Sequence, residues 1–125
     1  MARVLVVDDE PLIAMALEAA LEDAGYRVVT AANGRQGLER LAEAAADVVL
    51  LDMMMPVMNG PAMLEAMAAD PSLHAIPVIV LSSLPERSIR AQADTVAEIL
   101  RKPYTADQVL DAISRVLGVE HQTKT

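Results

Sequence analysis

Residues 48–60, VVLLDMMMPVMNG, decide how the rest of this chain is read. Four apolar residues, Val48 to Leu51, form a run suited to a buried strand, and they deliver one carboxylate, Asp52, to its C-terminal end. A Met-rich turn containing Pro56 and Gly60 follows at once. A carboxylate carried to the end of a buried run needs partners, because an unpaired charge is costly away from water.

Working outward, three other runs supply them. Arg3 to Val7 ends in Asp8 and Asp9, Pro77 to Leu81 ends in Ser82 and Ser83, and Ala97 to Arg101 ends in Lys102 and Pro103. If these strands lie parallel, Asp8, Asp9, Asp52, Ser82 and Lys102 meet at one rim of the sheet, the rim at which open α/β sheets bind ligands. A fifth run, Arg27 to Ala31, is β-branched but interrupted by Thr30, as suits a sheet edge.

Helical patterns separate the runs. Leu12 to Ala24 keeps Ile13, Leu17, Ala20, Leu21 and Ala24 on one face, with Pro11 at its start and Gly25 as its stop. Asn33 and Gly34 read as a turn before a second helix from Gln36 to Ala45. Pro61 opens a third, buried through Met63, Leu64, Met67 and Ala68. Glu86 to Asp94 is the weakest helix, with Ile89 nearly alone as an anchor, and Thr105 caps a last one running to Leu117, closed by Gly118. Five strands alternating with five helices predict a doubly wound α/β fold, since parallel neighbours require crossovers of about this length. Strands 1, 3 and 4 are the most apolar and belong at the centre, which gives a five-stranded parallel sheet of order 2-1-3-4-5 in a flavodoxin-like α/β/α sandwich.

Composition narrows the function. At 125 residues the chain is sized for one domain, and it is 54% apolar. The absence of cysteine excludes disulfides, thiolate metal sites and a cysteine nucleophile. A formal net charge of −8 argues against direct nucleic-acid or anionic-membrane binding. No apolar run reaches the ~20 residues of a membrane helix, and no signal-peptide pattern opens the chain, so a cytoplasmic location is expected. Of the two lysines, Lys124 falls in a polar tail, leaving Lys102 as the lysine of the folded body.

Charge crowding at the rim indicates its chemistry. Two carboxylates ~4 Å apart repel by about 4 kcal/mol at an effective dielectric of 20, so Asp8, Asp9 and Asp52 call for a counterion. Hard oxygen ligands without His or Cys suit Mg²⁺. Taken singly, Asp8 and Asp9 equally suit a helix start, Asp52 a turn, Ser82 and Ser83 a cap, and Lys102 a solvated edge. Taken together, they describe phosphoryl transfer onto Asp52, with Lys102 and the Ser82 hydroxyl binding the phosphoryl oxygens.

The motifs VVDDEP, LLDMMMPVMNG, VIVLSS and RKPY, in this order, resemble the receiver domain of two-component response regulators over residues 3–117. The resemblance implies that Asp52 takes phosphate from a sensor histidine kinase or a histidine phosphotransfer protein. It implies that Asp8, Asp9, Asp52 and the backbone carbonyl of Met54 bind Mg²⁺, that Ser82 is a switch hydroxyl, that Lys102 binds phosphate, and that the peptide before Pro103 is cis. The domain would promote its own phosphorylation and dephosphorylation without being an enzyme in the ordinary sense. It would signal through the surface of the helix expected over 86–94, strand 5 and the last helix, to a downstream target or output domain, as a monomer or a phosphorylation-dependent dimer.

Residues 1–118 would form the receiver and 119–125 a flexible tail; a stand-alone protein and a domain of something longer are both compatible with this. Ile99 stands where such domains often carry an aromatic switch residue, and Met54 and Leu84 are apolar where a polar side chain would hold a water. Three rivals remain at this stage. They are an aspartyl-phosphate phosphatase, which needs a second acid where Met54 stands; a phosphorylation-independent interaction domain of the same fold; and a flavin-binding protein, which needs a phosphate-cradling loop and stacking aromatics.

Overall fold

The computed structural model describes residues 2–55, 57–85, 87–89 and 96–118. Five strands are present: β1 (Arg3–Val7), β2 (Arg27–Ala31), β3 (Val48–Asp52), β4 (Val78–Ser82) and β5 (Glu98–Arg101). Between and after them lie α1 (Pro11–Asp23), α2 (Gly34–Glu43), α3 (Gly60–Ala69) and α4 (Ala106–Leu117). All strand pairings are parallel and the order is β2-β1-β3-β4-β5, as expected. Residues 87–89 are helical and Ile89 is fully buried. The remainder of the helix expected over 86–94, the expected tail 119–125 and Pro56 lie outside the described residues.

Apolarity set the order. Every residue of β3 and β4 is buried, as are Val4 to Val7 of β1, whereas β2 and β5 are only partly covered. Strand alternation then divides the core into two layers. Val4, Val6, Val48, Leu50, Ile79 and Leu81 pack with Leu17 and Leu21 of α1 and Val109, Ala112 and Ile113 of α4. Leu5, Val7, Val49, Leu51, Val78 and Val80 pack on the other side with Leu41 of α2 and Met63, Leu64 and Met67 of α3. A bidentate ion pair, with Arg115 donating to both Glu98 oxygens at 2.8 Å, ties α4 to β5. The Arg115 guanidinium holds the Glu98 carboxyl below its usual range, against a smaller opposing effect of burial.

Two helix starts differ from the expected ones. Asn33 and Gly34 do not form a separate turn. Asn33 is the N-cap of α2, accepting the Gln36 N–H, and Gln36 accepts the Ala32 N–H in return, so the helix begins two residues early. Likewise α3 begins at Gly60, capped by Asn59 through the Ala62 N–H, with Pro61 in the first turn. The α4 start is as expected, with Thr105 and Gln108 forming a reciprocal capping box. Gly25 and Gly118 end their helices with left-handed φ of 99° and 71°.

One residue of the β3–α3 loop is strained. Val57 has φ of 69°, a region costly for a β-branched side chain, yet it is 76% exposed and so gains little by packing. Val57→Asn is expected to raise stability by about 0.5–1 kcal/mol, because Asn tolerates this conformation. A urea midpoint that stays put or falls, at unchanged slope, would show that the loop does not impose this conformation.

Candidate functional site

Strand period and register assemble the site. Val6 pairs with Leu50 and Val7 with Leu51, so continuing the register by one residue sets Asp8 beside Asp52. Asp8 shares the alternation of Val4 and Val6, and Asp52 that of Val48 and Leu50, so both acids leave the sheet on the α1/α4 side. Asp8, Asp9 and Asp52 bring carboxylate oxygens within 4.8 Å of one another, Asp9 being the most accessible of the three. From the far side of β4, Lys102 reaches Asp52 with Nζ 3.5 Å from Oδ1. The Lys102 backbone N–H donates to the Ser82 carbonyl at 2.9 Å, which fixes where the β5–α4 loop leaves the sheet. The Lys102–Pro103 peptide is cis.

Each group has a local role that the sequence alone left open. Asp8 Oδ1 accepts the Glu10 N–H at 2.9 Å, forming the turn that leads into α1, so Asp8 both shapes the helix approach and faces the cluster. The helix itself begins at Pro11, and Asp8 and Asp9 lie outside its first turn. Asp52 Oδ1 accepts the Met54 N–H at 3.2 Å. Ser82 is almost fully buried and its Oγ accepts the Leu84 N–H at 3.0 Å, a turn-forming bond that leaves the hydroxyl proton to be donated elsewhere. Ser83 is exposed.

The electrostatics identify the strained member. Burial pushes the Asp8 carboxyl from 3.8 up to about 6; the Glu10 N–H opposes this, Asp52 adds to it, and Lys102 partly offsets it. Asp8 Oδ2 is buried without a hydrogen-bond partner. Tyr104, the first residue after the cis proline, is pushed up to about 12 by burial and by the nearby charges of Asp8 and Asp52. Its hydroxyl, too, is buried and unpartnered. Tyr104 is half-buried where the chain leaves β5. Its place beside the acidic cluster follows from the path of the loop and carries no local signal.

Three hard oxygen donors, one with an orphaned buried oxygen, suit a divalent cation such as Mg²⁺ better than they suit one another. With a lysine and a serine hydroxyl on the opposite side of Asp52, the rim is that of an α/β signalling domain built to receive a phosphoryl group on an aspartate.

Comparison with known proteins places the chain more narrowly. Residues 4–114 match the family described as response regulator receiver domain. Protein PilH of Pseudomonas aeruginosa is 34% identical over 120 residues, which cover 94% of this chain and 99% of PilH. The structure of the Vibrio cholerae chemotaxis protein CheY4 superposes with a TM-score of 0.89 at 33% identity, covering 94% of this chain and 99% of that one. The receiver domain of a Pseudomonas aeruginosa sensor histidine kinase, solved with magnesium coordinated in its active-site cleft, has a TM-score of 0.85 at 25% identity, covering 94% of this chain and 98% of its own. The chain belongs to the response regulator receiver family, whose members accept a phosphoryl group on an aspartate in two-component signalling. It is accordingly a signalling domain. Among the described residues, no helix is long and apolar enough to cross a membrane.

Proposed function

We propose that Asp52 is the phosphoacceptor of this domain, that its donor is the phosphohistidine of a sensor histidine kinase or a histidine phosphotransfer protein, and that Asp8, Asp9, Asp52 and the Met54 carbonyl form a Mg²⁺ site. The observation that carries the proposal is the position of Asp52: 3% exposed, at the end of β3, between two acids on one side and the Lys102 ammonium at 3.5 Å on the other. Bound there, Mg²⁺ would offset the carboxylate charges and that of the incoming phosphoryl group. Asp52 supplies the attacking oxygen; its bond to phosphorus forms as the bond from phosphorus to the donor nitrogen breaks. Lys102, with Nζ 3.5 Å from Oδ1, would take up a phosphoryl oxygen. The Ser82 hydroxyl, whose proton is not used in its bond with the Leu84 N–H, would donate to another. Most of the rate then comes from position and electrostatics.

The Ser82 hydroxyl can follow the phosphoryl group only by altering its bond to Leu84, and so it carries the start of the segment after β4 with it. This supports a readout over residues 83–105 and α4, addressed to a protein target or output domain, by a population shift between two packings. Amide exchange with and without a phosphoryl mimic is expected to change across 83–105; identical protection there would remove the mechanism.

The central test is incubation with a small-molecule phosphodonor and Mg²⁺. One phosphoryl group is expected by intact mass, none without the cation, and none in Asp52→Asn. Uptake by Asp52→Asn equal to that of the parent would move the acceptor elsewhere. Spontaneous loss is expected to be slow, because Met54 is 65% exposed and apolar, Leu84 is apolar, and neither side chain can hold a water in line with phosphorus.

A further inference from the structure

We propose that Met54 is an oxidation site through which a hydroperoxide sets the lifetime of the phosphorylated state. This rests on the reading of Asp52 as phosphoacceptor. The chain has eight methionines, and the fold sorts them sharply. Met53, Met63 and Met67 are buried at 2%, 0% and 3%, and Met55 and Met58 are half-buried; among the described residues, only Met15 and Met54 are exposed, at 61% and 65%. Thioether oxidation follows exposure, so these two are the accessible sulfurs.

Of these two, Met54 is the one hydrogen-bonded to the proposed acceptor. Its N–H donates to Asp52 Oδ1 at 3.2 Å, so its side chain leaves the backbone one hydrogen bond away from that carboxylate. An open depression of about 370 Å³, lined by Met53, Met54, Met55 and Asn59, gives a small hydroperoxide access from the solvent side. The sulfur attacks one peroxide oxygen, forming a sulfur–oxygen bond as the oxygen–oxygen bond breaks. The departing oxygen takes a proton and leaves as water or an alcohol. Sulfur is oxidised by two electrons and the peroxide is reduced by two.

The product changes what stands beside the acyl phosphate. A thioether offers a water almost nothing, whereas a sulfoxide oxygen is polar and a strong acceptor. Placed beside Asp52, it can accept a hydrogen bond from a water approaching phosphorus and so orient that water for attack. Oxidation thus turns a slow-decaying signal into a faster one, and reduction of the sulfoxide restores it.

The test uses the full chain carrying Met15→Leu, so that one exposed thioether remains among the described methionines. Limited hydrogen peroxide is applied, peptide mass mapping locates the added oxygen, and the phosphoryl half-life after treatment with a small phosphodonor and Mg²⁺ is followed by intact mass. Met54 is expected to oxidise ahead of the other described methionines with the thermal midpoint unchanged, and the half-life is expected to fall roughly threefold or more. Methionine sulfoxide reductases acting on both epimers should reverse the change. Oxidation of another described methionine before Met54, or a half-life unchanged or lengthened in the Met54-oxidised protein, would overturn the proposal. So would an equal peroxide-induced shortening in Met15→Leu/Met54→Leu, compared before and after treatment. Failure of the untreated protein to take up phosphate would instead sink the reading of Asp52, and the link to signal lifetime with it, while the peptide map still reports which sulfur reacts.

Discussion

Asp8→Asn is expected to stabilise the cation-free protein at pH 7.5 by about 2–3 kcal/mol while abolishing its response to Mg²⁺. The reason lies in what burial does to this carboxyl. Its ordinary value of 3.8 rises to about 6, chiefly because ionising it costs solvation, with Asp52 adding repulsion. The folded protein therefore holds this proton more tightly than the unfolded chain does. Folding takes up a proton between pH 3.8 and about 6, so stability falls as pH rises through that window, and the whole penalty is present above it. Asparagine carries no charge and escapes the penalty.

Urea unfolding of both proteins without divalent cations, at pH 7.5 and at pH 3.5, checks this. The variant should lead clearly at the higher pH and lose its lead at the lower one. Equal midpoints at both would mean that Asp8 is not strained. Adding Mg²⁺ at pH 7.5 should raise the midpoint of the parent, since a ligand that binds only the folded state stabilises it by mass action, and should leave the variant unmoved. By the same linkage, the parent's apparent Mg²⁺ affinity should weaken as pH drops below about 6, because the cation must then displace the Asp8 proton. Instability in the resting state and the proposed cation binding would thus be two consequences of one buried carboxylate.

Gly60→Ala is expected to destabilise by about 2–3 kcal/mol and to slow phosphorylation. Gly60 is the first residue of α3, and its φ is not left-handed, so helix propensity alone would make alanine the better residue by up to about 1 kcal/mol. The sign of the effect therefore discriminates between the two influences. A Cβ here would stand 2.7 Å from the Met53 Cα and 3.0 Å from the Asp52 carbonyl oxygen, both backbone atoms that a side-chain rotation cannot move. The Gly60 N–H also donates to the Met53 carbonyl at 3.1 Å, holding the β3–α3 loop against the start of the helix. Relieving the clash must shift the end of β3 and with it the carboxylate of Asp52, the proposed acceptor. Thermal midpoint and phosphorylation rate should fall together; a midpoint that rises would show that the loop yields at little cost.

Gly34 meets a similar constraint from the other side of the same loop. Its N–H donates to the Met58 carbonyl at 2.9 Å, and a Cβ would stand 2.8 Å from that oxygen. Two glycines that the sequence offers only as turn residues are thus points where separate segments press backbone against backbone. The turn reading of Asn33–Gly34 gave way to a helix start because Asn33 and Gln36 cap α2 locally, while the distant Met58 carbonyl takes up the Gly34 N–H.

The sequence by itself determined the strands, their order and the rim at which the acids, Ser82 and Lys102 gather. Each of these depends on local pattern: continuous apolar runs mark strands buried on both faces, the period of two fixes the side on which Asp8 and Asp52 emerge, and crossover lengths force the neighbours to be parallel. Only the tertiary structure decided how much each group is strained or exposed. The raised Asp8 carboxyl, the buried Tyr104 hydroxyl beside it, the close approaches at Gly34 and Gly60, and the exposure of Met54 next to the buried Met53 all arise from contacts between segments distant in the chain. Desolvation and steric exclusion depend on every atom nearby, whichever part of the chain supplies it, so no local pattern encodes them.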